Sequence, residues 1–137
     1  MDLKSGYPYW AVKNGLMAAF PSLENDIACE VAVIGGGITG ALIAHELSTH
    51  GHEVAVIEQR DVGWGSTAAS TALLQYEIDT HMVDLAKDYG EDNAALAYRA
   101  CAKAIPMLQA LAAQVKDVDF ARMHSLYYAS RRWNVPA

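Results

Sequence analysis

An α/β fold built on a parallel sheet is predicted by three observations. Two short apolar, β-branched runs, CEVAVI at 29–34 and EVAVIE at 53–58, bracket a helix-like segment, ITGALIAHELSTHG. Between the first run and that segment lies VIGGGITG, which contains G-x-G-x-x-G as Gly35, Gly37 and Gly40. Strand, helix and strand together fill residues 29–58, about the 30 residues of one βαβ unit.

Each element rests on its own cue. The two runs lack polar alternation, which suits strands buried on both faces of a parallel sheet. In the segment between them Gly40, Ala44, Leu47 and Gly51 fall on one helical face, and Gly51 reads as a helix stop. Ahead of this unit, residues 1–28 read as an arm that holds Tyr7, Tyr9, Trp10, Phe20 and two prolines without sustained periodicity. After it, DVGWGSTAASTALLQ at 61–75 is a loop of small residues and hydroxyls. THMVDLAKDYG predicts a short helix ending at Gly90, with Asp79 as its candidate cap. Residues 91–115 predict a helix whose leading acids suit the positive end of its dipole, and Pro106 is expected to kink it or split it in two. LYYAS at 126–130 reads as a further strand, with Tyr127 and Tyr128 as packing residues. The expected organisation is an arm (1–28) followed by the N-terminal part of one dinucleotide-binding domain (29–137). No apolar element follows the last strand, so the domain is expected to be incomplete.

Composition narrows the function classes. A chain of 137 residues, 53% hydrophobic and 19% charged, has the profile of a globular domain with a core. Its net charge of −6, with Arg131–Arg132 the one local basic pair, argues against nucleic-acid binding. Cys29 and Cys101 lie far apart in no metal-ligand spacing and read as small buried residues of a reducing compartment. No run approaches the roughly 20 apolar residues of a transmembrane segment. MDLKSGYPYWAVKNG lacks the apolar core of a signal peptide, so a cytoplasmic location is expected. His45, His50 and His52 read as a polar helix face, because the His45–Glu46 pair lacks a second histidine four residues after the first.

The glycine turn carries the chemistry. Gly35 permits a tight turn out of the strand, Gly37 removes a side chain that would block a diphosphate, and Gly40 lets the helix approach the sheet. The backbone N–H groups around Ile38 and Thr39 then form an anion site at the helix start. Glu58 ends the second strand 23 residues beyond the first glycine, where an acid grips the two hydroxyls of a ribose. That acid argues against NADP but does not separate NAD from FAD. Gln59 is a candidate for a backbone contact to adenosine, and Arg60 either flanks the adenine or is a solvated surface residue.

VAVIGGGITGALIAHELSTHGHEVAVIEQRDVGWGSTAAS resembles the N-terminus of the FAD-dependent oxidoreductases related to D-amino-acid oxidase, glycine oxidase and sarcosine oxidase. In that family a loop of glycines, hydroxyls and small residues follows the βαβ unit at once. Here it is Gly63, Gly65, Ser66 and Thr67, then Ala68 to Leu74. The arm with SGYPYW and KNG, LLQYEIDT and the helix from 91 onward look like one bacterial subgroup of the same proteins.

The resemblance implies a Rossmann-like FAD-binding fold and an enzyme that oxidises the C–N bond of a small-molecule amine or amino acid. It implies that Gly65, Ser66, Thr67, Ser70 and Thr71 meet the phosphate and ribityl oxygens, while Ala69, Ala72 and Leu73 shape the room for that chain. It also implies a substrate domain beyond residue 137, so the chain alone is expected to bind FAD weakly and to turn nothing over. No catalytic residue or covalent flavin link is assigned to these residues. A nicotinamide-dependent Rossmann oxidoreductase and a non-catalytic dinucleotide-binding module stay open beside this reading.

Overall fold

Six elements follow one another in the computed structural model, which describes residues 6–15, 18–126 and 128: α1 (Tyr9–Asn14), β1 (Val31–Ile34), α2 (Ile38–Thr49), β2 (Val54–Ile57), α3 (Met82–Tyr89) and α4 (Glu91–Ala112). They divide between two compact units, residues 1–73 and 74–137.

The predicted βαβ unit lies in the first. β1 and β2 pair in parallel, with Val31 opposite Val54 and Ile34 opposite Ile57. Parallel neighbours cannot be joined by a hairpin, and α2 supplies the crossover, packing against both strands. The helix ends where the glycine pattern places its stop: His50 caps it and Gly51 takes a φ of +88°, which costs glycine little. At the start of the ladder the N–H groups of Glu30 and Val31 both donate to the Glu53 carbonyl at 3.1 Å. The Glu30 carboxylate in turn accepts the Glu53 N–H at 3.0 Å and the His52 Nδ1–H at 3.3 Å.

The expectation of strands buried on both faces is not met. Val33 is the one strand residue that is buried, while Ile34 is 78% exposed and Val56 and Ile57 are exposed as well. α2 packs on the strands, but among the described elements of this unit no second layer does. The core is correspondingly slight, with Val33 and Ala68 buried in the first unit and Ala94 in the second.

The arm contains a helix that periodicity did not reveal. α1 spans six residues between Pro8, which is extended at the N-cap, and Gly15, whose N–H donates to the Ala11 carbonyl at 3.1 Å. So short a helix owes its stability to its surroundings and not to propensity.

In the second unit α3 packs on α4, and Ala94 is fully buried. Gly90, with φ +85°, separates the two helices; its N–H closes α3 on the Ala86 carbonyl, and its own carbonyl accepts the Ala94 N–H. Asp79 does not cap α3: the N-cap is His81, and the cap makes no side-chain hydrogen bond. α4 carries Glu91 and Asp92 in its first turn, as the dipole favours, and runs through Pro106 without being split. A proline removes one N–H from a helix interior, and here the 22-residue helix continues on both sides of it. Of the strand predicted at 126–130, residues 127, 129 and 130 lie outside the described residues, as do Arg131 and Arg132. Leu126 and Tyr128 belong to no strand, and Tyr128 is 73% exposed instead of packed. Among the described residues no helix is long and apolar enough to cross a membrane.

Candidate dinucleotide site

The glycine turn leaves the C-terminal end of β1. Gly35 adopts a φ of +104°, and its N–H donates to the Ile57 carbonyl at 2.8 Å, so the turn begins by extending the ladder to β2. Only a residue without Cβ takes that φ readily. Five residues on, α2 passes so close to the turn that a Cβ built on Gly40 would stand 1.9 Å from the Gly35 carbonyl oxygen and 3.3 Å from Val33 Cγ1.

Gly36, the middle glycine, was not singled out by the motif, yet it is buried and ties three segments together. Its N–H donates to Glu58 Oε2 at 2.8 Å, and its carbonyl accepts the Gly63 N–H at 2.9 Å. The signal for it was the unbroken Gly35-Gly36-Gly37 run. Glu58 stands one residue past β2, at the turn. Its second oxygen accepts the Arg60 N–H at 3.0 Å. The Gly36 N–H first, and then the Arg60 N–H, hold the Glu58 carboxyl below its ordinary value of 4.5. A carboxylate has about four lone-pair sites, so two bonds to the backbone leave acceptor capacity for a pair of hydroxyls.

The helix start differs from expectation at one atom. The Ile38 N–H is not free: it donates to Thr67 Oγ1 at 3.0 Å, from the loop that follows β2. Thr67 thereby caps α2 from outside, because the N-cap residue Gly37 has no side chain to do so. A Cβ on Gly37 would come 3.2 Å from the same hydroxyl. The N–H groups of Thr39 and Gly40 find no backbone acceptor among the described residues. Thr67, having accepted one hydrogen bond, keeps its own hydrogen to donate.

The remaining predicted site residues sort by what they touch. Arg60 folds back on the loop: its Nη2 would lie 3.2 Å from a Cβ on Gly65. Ser70 Oγ accepts the Ala72 N–H at 3.0 Å and Thr71 Oγ1 the Leu73 N–H at 3.5 Å, so both hydroxyls shape their own turn. Ala72 holds a left-handed φ of +57° there. Gln59 and Ser66 are exposed, as is Leu73. The structure thus joins the glycine turn, Glu58 and Thr67 by direct hydrogen bonds, whereas Ser66, Ser70 and Thr71 make none to the turn.

Thr67→Val removes the external cap while keeping the shape of the side chain. It is expected to lower stability by about 0.5–2 kcal/mol, as lost helix caps do, with Thr67→Ser close to the parent. Thermal unfolding of the two variants against the parent checks this.

The histidines near α2 serve its end: His50 Nδ1–H donates to the Glu46 carbonyl at 2.8 Å, and His52 holds Glu30. Among the described residues no three His, Cys, Asp or Glu side chains are grouped to hold a metal ion. Cys29 and Cys101 are free and half-buried, not buried as expected.

A parallel βαβ unit with a glycine turn at the head of its helix is the mark of the Rossmann-like α/β class. The family model for FAD dependent oxidoreductases (DAO) matches residues 30–135, and the chain belongs to that family, whose cofactor is FAD. Among curated proteins the chain is 36% identical over 103 residues to YhfW of Bacillus subtilis (strain 168), named for a Rieske 2Fe-2S iron–sulfur protein; the match covers 75% of this chain and 20% of that one. It is 34% identical over 88 residues to the gamma-glutamylputrescine oxidoreductase of Escherichia coli (strain K12), covering 63% and 20%. It is 43% identical over 49 residues to an aerobic glycerol-3-phosphate dehydrogenase of Staphylococcus epidermidis (strain ATCC 35984 / DSM 28319 / BCRC 17069 / CCUG 31568 / BM 3577 / RP62A), covering 36% and 9%. The chain therefore spans about a fifth of the length of the first two relatives. No solved structure matches it.

Proposed function

We propose that this chain is the FAD-binding portion of an oxidoreductase that oxidises the C–N bond of a small-molecule amine or amino acid. The observation that carries the reading is the Ile38–Thr67 hydrogen bond, which fastens the loop after β2 to the mouth of the glycine turn. A nicotinamide site has no need of that second surface; an extended flavin dinucleotide has, for its diphosphate and ribityl chain.

The residues fit such a group. Gly35, Gly37 and Gly40 keep the turn clear of side chains, and the N–H groups of Thr39 and Gly40, beside Ile38, face no backbone acceptor among the described residues. These would hold the diphosphate at the helix N-terminus. Glu58 would accept the ribose hydroxyls, with Gln59 and Arg60 beside the adenosine. Gly65, Ser66, Thr67, Ser70 and Thr71 would meet the phosphate and ribityl oxygens, and Ala72 and Leu73 would border that chain. When bound, FAD supplies the acceptor for a hydride from the carbon beside nitrogen, and the resulting imine is hydrolysed by water. The protein's own part in these residues is to bind and orient. The segment by itself is proposed to bind FAD weakly and to lack turnover.

The substrate class has a second reading. The likeness to the glycerol-3-phosphate dehydrogenase favours oxidation at a C–O bond, but it covers 36% of this chain against 63% for the gamma-glutamylputrescine oxidoreductase. The longer match supports the amine. The likeness to YhfW brings no cluster to the described residues: a Rieske centre takes two Cys and two His, and no three such side chains are grouped among them.

The full-length protein is expected to be yellow as purified, or to become so with added FAD, and to reduce its flavin with amines but not with glycerol 3-phosphate. A colourless protein indifferent to FAD that binds NADH instead would sink the proposal.

A further inference from the structure

We propose that Trp10, on the short helix of the arm, is a positioning residue that sets the cofactor loop at 68–72, an inference that rests on the FAD reading above. Its indole N–H donates to the Ser70 carbonyl at 2.8 Å, and its backbone N–H reaches the Ala68 carbonyl at 3.4 Å. One residue of the arm thus takes two alternate carbonyls of the loop, across 60 positions of sequence.

Residues 70–72 belong to no helix or strand, so their backbone groups depend on outside partners. The Ser70–Thr71 peptide is held at its carbonyl by Trp10, while Ser70 Oγ takes the Ala72 N–H. Ala72 sits beyond it at φ +57°, a conformation that a non-glycine residue keeps only where its surroundings enforce it. Among the described residues, Trp10 is the side chain from outside the loop that bonds this stretch, at the Ser70 carbonyl.

The grip has a second point. The Tyr7 ring meets Trp64 edge-on at a centroid separation of 6.4 Å, so the arm touches the loop near both of its ends. Trp10 is itself braced, by the Tyr9 ring edge-on at 4.9 Å and by the Lys13 ammonium 5.4 Å from its centroid.

Among the described residues, none of the bonds that hold the glycine turn involves the arm: Gly35 relies on Ile57, Gly36 on Glu58 and Ile38 on Thr67. Loss of the indole N–H should therefore loosen the ribityl side of the site and spare the adenosine side. A residue needed only for folding would weaken both alike.

The test uses the full-length protein with Trp10→Phe, which keeps an aromatic ring and loses the N–H, and with Trp10→Ala. FAD affinity is read by flavin fluorescence, ADP affinity by calorimetry, and the apoprotein by thermal unfolding. Trp10→Phe is expected to weaken FAD about 10-fold, the value of one good hydrogen bond, with ADP affinity and apoprotein melting near the parent's. Trp10→Ala is expected to lose more FAD affinity with the same preference. Unchanged FAD affinity in Trp10→Phe overturns the proposal, and so does an equal loss of FAD and ADP. A parent protein that binds no FAD overturns the functional reading itself, which separates the two failures.

Discussion

Gly40→Ala is expected to be the most damaging single change in this chain. The added methyl would stand 1.9 Å from the Gly35 carbonyl oxygen and 3.1 Å from its carbonyl carbon. Those are backbone atoms, so no rotamer relieves the clash. Either α2 lifts from the turn by roughly an ångström or the turn unwinds, and overpacking of this kind costs about 3 kcal/mol. Lifting the helix also draws the Ile38 N–H away from Thr67, so the loop after β2 is released together with the turn. Unfolding midpoint and FAD retention should therefore fall together. A Gly40→Ala protein that melts like the parent and keeps its flavin would refute the close approach.

The second large effect is expected at Glu58. Glu58→Ala strips the buried Gly36 N–H of its acceptor and takes away the proposed ribose ligand in one step. Affinity for FAD, and for ADP equally, should drop by roughly 10-fold to 100-fold. An FAD affinity equal to the parent's would dismiss Glu58 as the ribose ligand. The same carboxylate gives a pH signature. Its value in the folded chain is lowered, so its contribution is complete above the ordinary 4.5 and is lost as pH falls through the lowered value. The gap in unfolding midpoint between the parent and Glu58→Gln should be flat at neutral pH and close on the acid side of 4.5. A gap that widens in acid would contradict the sign.

Much of this could be read from the residues, and the reason is distance along the chain. Gly35, Gly40, Gly51 and Glu58 act inside one βαβ unit, where spacing alone places them at turn, helix start, helix stop and strand end. Gly36–Glu58 is internal to that unit too, but a motif that names alternate glycines passes over the middle one. The Ile38–Thr67 bond spans 29 positions and Trp10–Ser70 spans 60, and no periodicity reports which hydroxyl or indole returns to a given amide. Pro106 does not split the helix, one of the two outcomes expected of it: a missing N–H removes one bond, and whether the helix breaks depends on what packs around it. The apolar runs of β1 and β2 identified strands correctly but overstated their burial. Apolarity describes what a strand can tolerate against it, and burial requires a neighbour.

As the proposed anion site, the glycine turn would be organised before any ligand arrives. The amides of Gly35, Gly36 and Ile38 are already held by a strand carbonyl, a carboxylate and a hydroxyl, while those of Thr39 and Gly40 have no backbone partner among the described residues. The ordering entropy of that corner is spent during folding, so an anion meeting it loses its own freedom without having to organise the protein as well. Capture at the turn should then proceed at the speed of encounter, with the slower adjustments left to the stretch that the arm restrains.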